Sequence, residues 1–118
     1  MNIEPPKPFV EKRPWGEELW ITQNAPSMIK ILTVFPGECF SLQFHNNRDE
    51  YWRILSGNGV AIIGGNKTDL TTGQDCFVPR KTHHRLYGGT EKLVVLELAF
   101  GDFNEADIVH LEDKYGRV

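Results

Sequence analysis

From Leu19 to Ala99 the chain alternates short apolar runs with turn signals, and this punctuation limits the possible folds more than any other feature. "MIKILTVF" is followed by Pro36-Gly37, "CFSLQFH" by "NNRD", "YWRIL" by "SGNG", "VAII" by "GGN", "DCFVP" by "RKT" and "KLVVLELAF" by Gly101. Runs this short, rich in β-branched and aromatic residues and bounded by Gly, Pro and Asn, read as at least six strands. Helical periodicity is nearly absent: one candidate turn lies around "NEADI", with Asn104 placed to cap it and Glu105 and Asp107 suited to its first turn. The predicted class is all-β, a sandwich or small barrel, because either shape hides strand edges that an open sheet would expose.

With 118 residues the chain has room for one core and no second independent unit. Residues 1–14 carry Pro5, Pro6, Pro8 and Pro14, so 1–18 is expected as an extended Pro-rich arm lying on the body or on a neighbouring subunit, and 19–118 as a single domain. A net charge of −3 with scattered basic residues argues against a nucleic-acid partner. No apolar run approaches the roughly 18 residues needed to span a bilayer, and "MNIEPPKPF" has no h-region, so the expectation is a cytoplasmic protein without a membrane partner. Cys39 and Cys76 lack metal-clip spacing and are expected as buried free thiols.

One stretch runs against this apolar rhythm. "SLQFHNNRDEYW", Ser41 to Trp52, sets Ser41, Gln43 and His45 on one strand face and Leu42 and Phe44 on the other. "NNRD" is then expected as a tight reversal that brings Glu50 back beside His45, with Trp52 and Ile54 on the face of Glu50. An amide, an imidazole and a carboxylate enclosed together cost several kcal/mol if they lack partners. A divalent metal would satisfy them, since imidazole nitrogen and carboxylate oxygen are ordinary ligands and an amide oxygen a rarer one. A further ligand is expected from "VPRKTHHRLY", where alternation allows only one of His83 and His84 to point inward.

The spacing of these residues resembles the cupin superfamily. Gly37, Gln43, His45, Glu50 and Gly57 stand at the intervals of its first motif, with Gln in the place of the first His, and Gly73, Pro79 and His84 resemble its second. The resemblance implies a double-stranded β-helix (jelly-roll) small barrel and selects His84 over His83, giving Gln43, His45, Glu50 and His84 as metal ligands. "RPWG" (13–16), "SLQ" (41–43), "HRL" (84–86) and "LEDKYGR" (111–117) are similar to the C-terminal cupin domain of type II mannose-6-phosphate isomerases. The chain departs from that pattern with Asn46, Asn47 and Tyr51, with Lys81 for a usual Gly, Gly88 for a usual Asn and His110 for a usual Arg.

The likeness implies a metal-dependent sugar-phosphate isomerase converting mannose 6-phosphate to fructose 6-phosphate. A non-catalytic metal- or sugar-binding module and another metal-cupin reaction, an epimerase or an oxygenase, are the alternatives. Isomerisation needs a base, a Lewis acid for the enediolate oxygens and a phosphate grip. Zinc is the first expectation for the ion, ahead of Mn, Fe, Co and Ni. Glu97, a carboxylate inside the apolar strand "LVVLELAF", is expected as the proton shuttle or as a buried ion pair with Lys30 or Arg13. Lys30, Glu97 and His110 form the expected catalytic group, and Ser41, Arg48, Lys81 and Arg85 the substrate contacts, the cations among them serving the phosphate with Lys30. Trp15, Trp20 and Trp52 are candidates for stacking on a sugar, with the core the commoner place for such side chains. A homodimer is also expected from the likeness.

Overall fold

The computed structural model describes residues 8–101, 104 and 106–113. They form β1 (Phe9–Arg13), β2 (Gly16–Trp20), β3 (Ser27–Val34), β4 (Leu42–Phe44), β5 (Arg48–Ser56), β6 (Gly59–Ile63), β7 (Asn66–Leu70), β8 (Asp75–Val78), β9 (His84–Gly88), β10 (Leu93–Gly101) and β11 (Val109–Glu112). Two antiparallel sheets, in the orders β3-β10-β5-β8 and β11-β4-β9-β6-β7, face each other, and β1 and β2 make a separate hairpin. The expected all-β cupin fold is what the chain adopts. Among the described residues no helix is long and apolar enough to cross a membrane.

Alternation decides what each sheet buries. Registers Val95↔Ile54 and Glu97↔Trp52 put Val95, Glu97, Trp52 and Ile54 on the inner face of the first sheet. There Val34, Trp52, Ile54, Leu93 and Val95 meet Ala61 and Leu86 of the second sheet in one buried cluster. The opposite face of the first sheet carries a smaller cluster, Tyr51, Leu98 and Phe100, with Ile21 and Leu96 packed on it. β3 is an edge strand whose outward Ile29 and Ile31 are exposed. Gly57, which closes the first motif, leaves β5 at φ +82°, and a Cβ there would lie 1.8 Å from the Lys92 carbonyl oxygen. Gly88 also answers to packing, because a Cβ on it would come within 2.1 Å of the Phe35 carbonyl oxygen.

Three expectations change in detail. Residues 9–20 are a hairpin rather than an extended arm, so the expected boundary at 18 falls inside β2; Pro5 and Pro6 lie outside the described residues. "NNRD" does not join hairpin partners: β4 and β5 belong to different sheets, and Asn46 and Asn47 carry the chain across from one to the other. Asn104 does cap a turn, its Oδ1 accepting the Ala106 N–H at 2.9 Å, while Glu105 lies outside the described residues.

Candidate metal centre

Glu50 enters from the inner face of β5, His84 from the start of β9 and His45 from the residue after β4, so that both sheets contribute. The imidazole Nε2 of His45 lies 3.1 Å from Glu50 Oε1, and that of His84 lies 3.7 Å from Glu50 Oε2. All three side chains are buried, and one ligand atom from each falls within 4.8 Å of the others. Glu50 Oε2 and His84 Nε2 are buried without a hydrogen-bond partner.

The other ring nitrogens fix which atoms face the centre. His45 Nδ1 is 2.6 Å from the Asp107 carbonyl oxygen and His84 Nδ1 3.0 Å from that of Thr82. A carbonyl only accepts, so each Nδ1 carries a hydrogen and each ring turns Nε2, the nitrogen that would ligate, toward Glu50. Arg48 places Nη2 3.0 Å from the same His45 Nε2. Burial lowers the His84 pKa and favours its neutral form. Two imidazole Nε2 atoms and a carboxylate thus converge, and this donor set fits a divalent cation. The turn below them is tied down by Asp107, whose carboxylate takes the N–H groups of Asn46 and Asn47 at 3.0 and 2.9 Å. Burial pushes the Asp107 carboxyl up, but those two N–H groups together outweigh it and hold the group below its ordinary value.

Glu97 stands beside this cluster. Its register partners are Trp52 on β5 and Lys30 on β3, and Trp52 Nε1 donates to its Oε2 at 3.1 Å. Of the two ion pairs expected for Glu97, Lys30 is the neighbour; Arg13 instead pairs with Glu18 on the hairpin. Burial and then the negative charge of Glu50 raise the Glu97 pKa to about 7. Burial also pushes Glu50 up, but its contacts to His45 and His84 outweigh that and hold it low. The pair therefore shares one proton, and it sits on Glu97. Trp52 is both core and site, while Trp15 is exposed and Trp20 stacks on Phe9.

Gln43 lies across from His84 on β9 and from His110 on β11. Its Oε1 accepts from Ser41 Oγ at 2.6 Å, and the same Oγ is 2.7 Å from His110 Nδ1. Ser41 is fully buried in this contact.

The expected phosphate grip is not assembled as the sequence suggested. Arg85 follows an inward His84 and so faces the other way: it donates to the Phe40 carbonyl at 2.7 Å, to Glu112 Oε1 at 3.0 Å and to the Glu112 carbonyl at 2.9 Å, which fastens β11. Arg48 is buried against His45 and Glu50 rather than standing in an exposed turn. Lys81 is exposed, at φ +64°, which explains why Gly is usual at that position, and its N–H bonds the His45 carbonyl at 2.6 Å. Asp107 and Thr82 escaped sequence reasoning because they act on the histidines through backbone carbonyls, which leave no trace in residue identity. A cleft of about 350 Å³ is lined by Ile31 to Phe35 and Glu38 to Phe40, and the Phe40 ring meets His84 and Trp52 edge-on.

The family model described as "Mannose-6-phosphate isomerase C-terminal" matches residues 9–113. A mannose-1-phosphate guanylyltransferase of Klebsiella pneumoniae is 38% identical over 89% of this chain and 23% of its own length. An alginate biosynthesis protein of Pseudomonas fluorescens is 36% identical over 89% of this chain and 22% of its own. The chain thus spans less than a quarter of these relatives. A cupin protein from Bacteroides fragilis superposes with a TM-score of 0.59 at 19% identity, covering 66% of this chain and 68% of its own, a likeness of fold alone. These relatives correct the expected reaction: they are named for guanylyl transfer to mannose 1-phosphate and for alginate biosynthesis, not for isomerisation. Of the cations expected at the phosphate, Arg85 is turned away onto Glu112, while Arg48 and Lys81 both contact His45, Lys81 through its backbone. On the match of its sequence over residues 9–113, the chain belongs to the mannose-6-phosphate isomerase C-terminal family.

Proposed function

We propose that this chain is a cupin domain that holds a divalent metal ion and engages mannose phosphates through it, within the mannose-phosphate metabolism for which its relatives are named. The observation that carries the reading is the pair of buried, unpartnered acceptors, Glu50 Oε2 and His84 Nε2, beside the Nε2 of His45. Leaving such atoms desolvated is costly, and a cation is the partner their chemistry fits. His45, Glu50 and His84 would hold the ion, with Gln43 as a fourth ligand and zinc the first candidate for this N/O set. When bound, the ion supplies a Lewis acid for sugar oxygens.

The residues around it have definite tasks. Asp107 and Thr82 keep the imidazoles in the ligating tautomer. Glu97 holds a proton next to the centre, anchored by Trp52, and can pass it to a bound oxygen. Lys81, exposed on the turn that leads into β9, is the cation we assign to the phosphate.

The test is calorimetric titration of chelator-treated protein with Zn²⁺, followed by mannose 1-phosphate and mannose 6-phosphate. One equivalent of metal should bind the wild type, Glu50→Gln and His84→Ala should weaken it by at least about 100-fold with the far-UV spectrum unchanged, and sugar phosphate should bind only to loaded protein. Failure of the wild type to take up metal, or equal sugar-phosphate binding with and without it, would overturn the proposal.

A further inference from the structure

We propose that His110 and Ser41 act as a positioning pair that turns the oxygen, rather than the nitrogen, of the Gln43 amide toward Ser41 and so keeps Gln43 competent as a ligand. The consequence for ligation rests on the metal reading above; the relay itself does not. Ser41 has one hydroxyl proton and two close partners, Gln43 Oε1 at 2.6 Å and His110 Nδ1 at 2.7 Å. An amide oxygen only accepts, so the Ser41 proton goes to Gln43, and His110 must then donate from Nδ1. The chain of donors runs His110 Nδ1–H to Ser41 Oγ–H to Gln43 Oε1.

Only one other arrangement satisfies every atom, and it is this one reversed. If His110 carried its hydrogen on Nε2, Nδ1 would accept from Ser41, Ser41 would accept from the Gln43 amino group, and the amide would be turned end for end. The branch that meets Ser41 would then be the amino group, which offers no lone pair. In the observed direction that branch is oxygen, with one lone pair engaged by Ser41 and the second left over, the usual arrangement for a ligand braced by an outer partner. Ser41 alone does not choose between the two, because a hydroxyl serves equally as donor or acceptor. His110 makes the choice. It stands where the family resemblance has Arg, a side chain that can only donate, and in its Nδ1–H form it presents the same polarity to Ser41.

Two readouts test the pair. In ¹⁵N NMR of metal-free protein, His110 should show a protonated Nδ1 and a bare Nε2, and Ser41→Ala should shift it toward the Nε2–H form that is commoner in free imidazoles. In Co²⁺ titrations followed by visible absorption, Ser41→Ala and the acceptor-only His110→Asp should lose about 10- to 100-fold in affinity, whereas Ser41→Thr and the donor-only His110→Arg should stay near the wild type. A wild-type His110 in the Nε2–H form overturns the relay, as do variants whose affinity ignores donor polarity. If the wild type takes up no metal, the metal reading fails by itself, and the relay stands or falls on the His110 tautomer.

Discussion

Glu97 sits in β10 between Leu96 and Leu98, faces the core with Val95 and Ala99, and keeps its proton because burial, and then the negative charge of Glu50 beside it, disfavours its ionised form. Unfolding releases that proton at any pH above the ordinary carboxyl value, whereas the folded chain keeps it until about pH 7. Stability from Glu97 is therefore complete below about pH 4.5 and is lost as the pH rises toward 7. Glu97→Gln keeps a donor for Glu50 and abolishes the titration. In chelator-treated protein the stability difference, variant minus wild type, should climb through this window and level off above it, by on the order of 3 kcal/mol. Urea melts across that range check it, and a flat difference would mean that Glu97 is ionised throughout. At this scale the sequence was informative: alternation put Ser41 on the face of Gln43, which it contacts, and the oddity of a carboxylate in "LVVLELAF" singled out Glu97. The same alternation, applied to Arg85 beside His84, would have removed it from the phosphate group. What residue identity could not convey was hydrogen-bond direction, on which the tautomers of His45, His84 and His110 depend.

The strands carry these side chains by a route that local patterning does not reveal. His45 and Glu50 were expected to meet across a hairpin; they meet because the chain leaves one sheet at β4 and enters the other at β5, with Asp107 clamping the crossing. Turn residues mark where a strand stops, not which sheet the next one joins, and that choice is made by long-range packing. β11 shows the same dependence. It is short, its residues are half-buried or exposed, and it is held by its ladder to β4 and by the Arg85 fork on Glu112. Arg85→Gln would strand the Phe40 and Glu112 groups and should cost about 2 kcal/mol. For a domain of this size that is a fall in Tm of about 8 °C, accompanied by faster amide exchange in 109–112 than in β9. An unchanged exchange rate there would show that the ladder alone secures the strand.

Taken as one body, the molecule is two facing sheets that share an apolar cluster and, adjoining it at Trp52, an acceptor-rich centre. The apolar cluster stabilises the fold, since Trp52, Ile54, Leu86, Leu93 and Val95 are essentially removed from water. The centre joins the sheets through His45 and His84 on one side and Glu50 on the opposite one, so an ion held there would cross-link them. A ligand that binds only the folded chain adds about 2.7 kcal/mol at 100 times its dissociation constant. Spread over a chain of this length, that raises Tm by about 10 °C. Differential scanning calorimetry with increasing Zn²⁺ should show that rise for the wild type and its loss in Glu50→Gln, where one of the two sheets has given up its anionic ligand. A rise of equal size in both would place the ion elsewhere on the protein, and the two sheets would then owe their union to the apolar cluster alone.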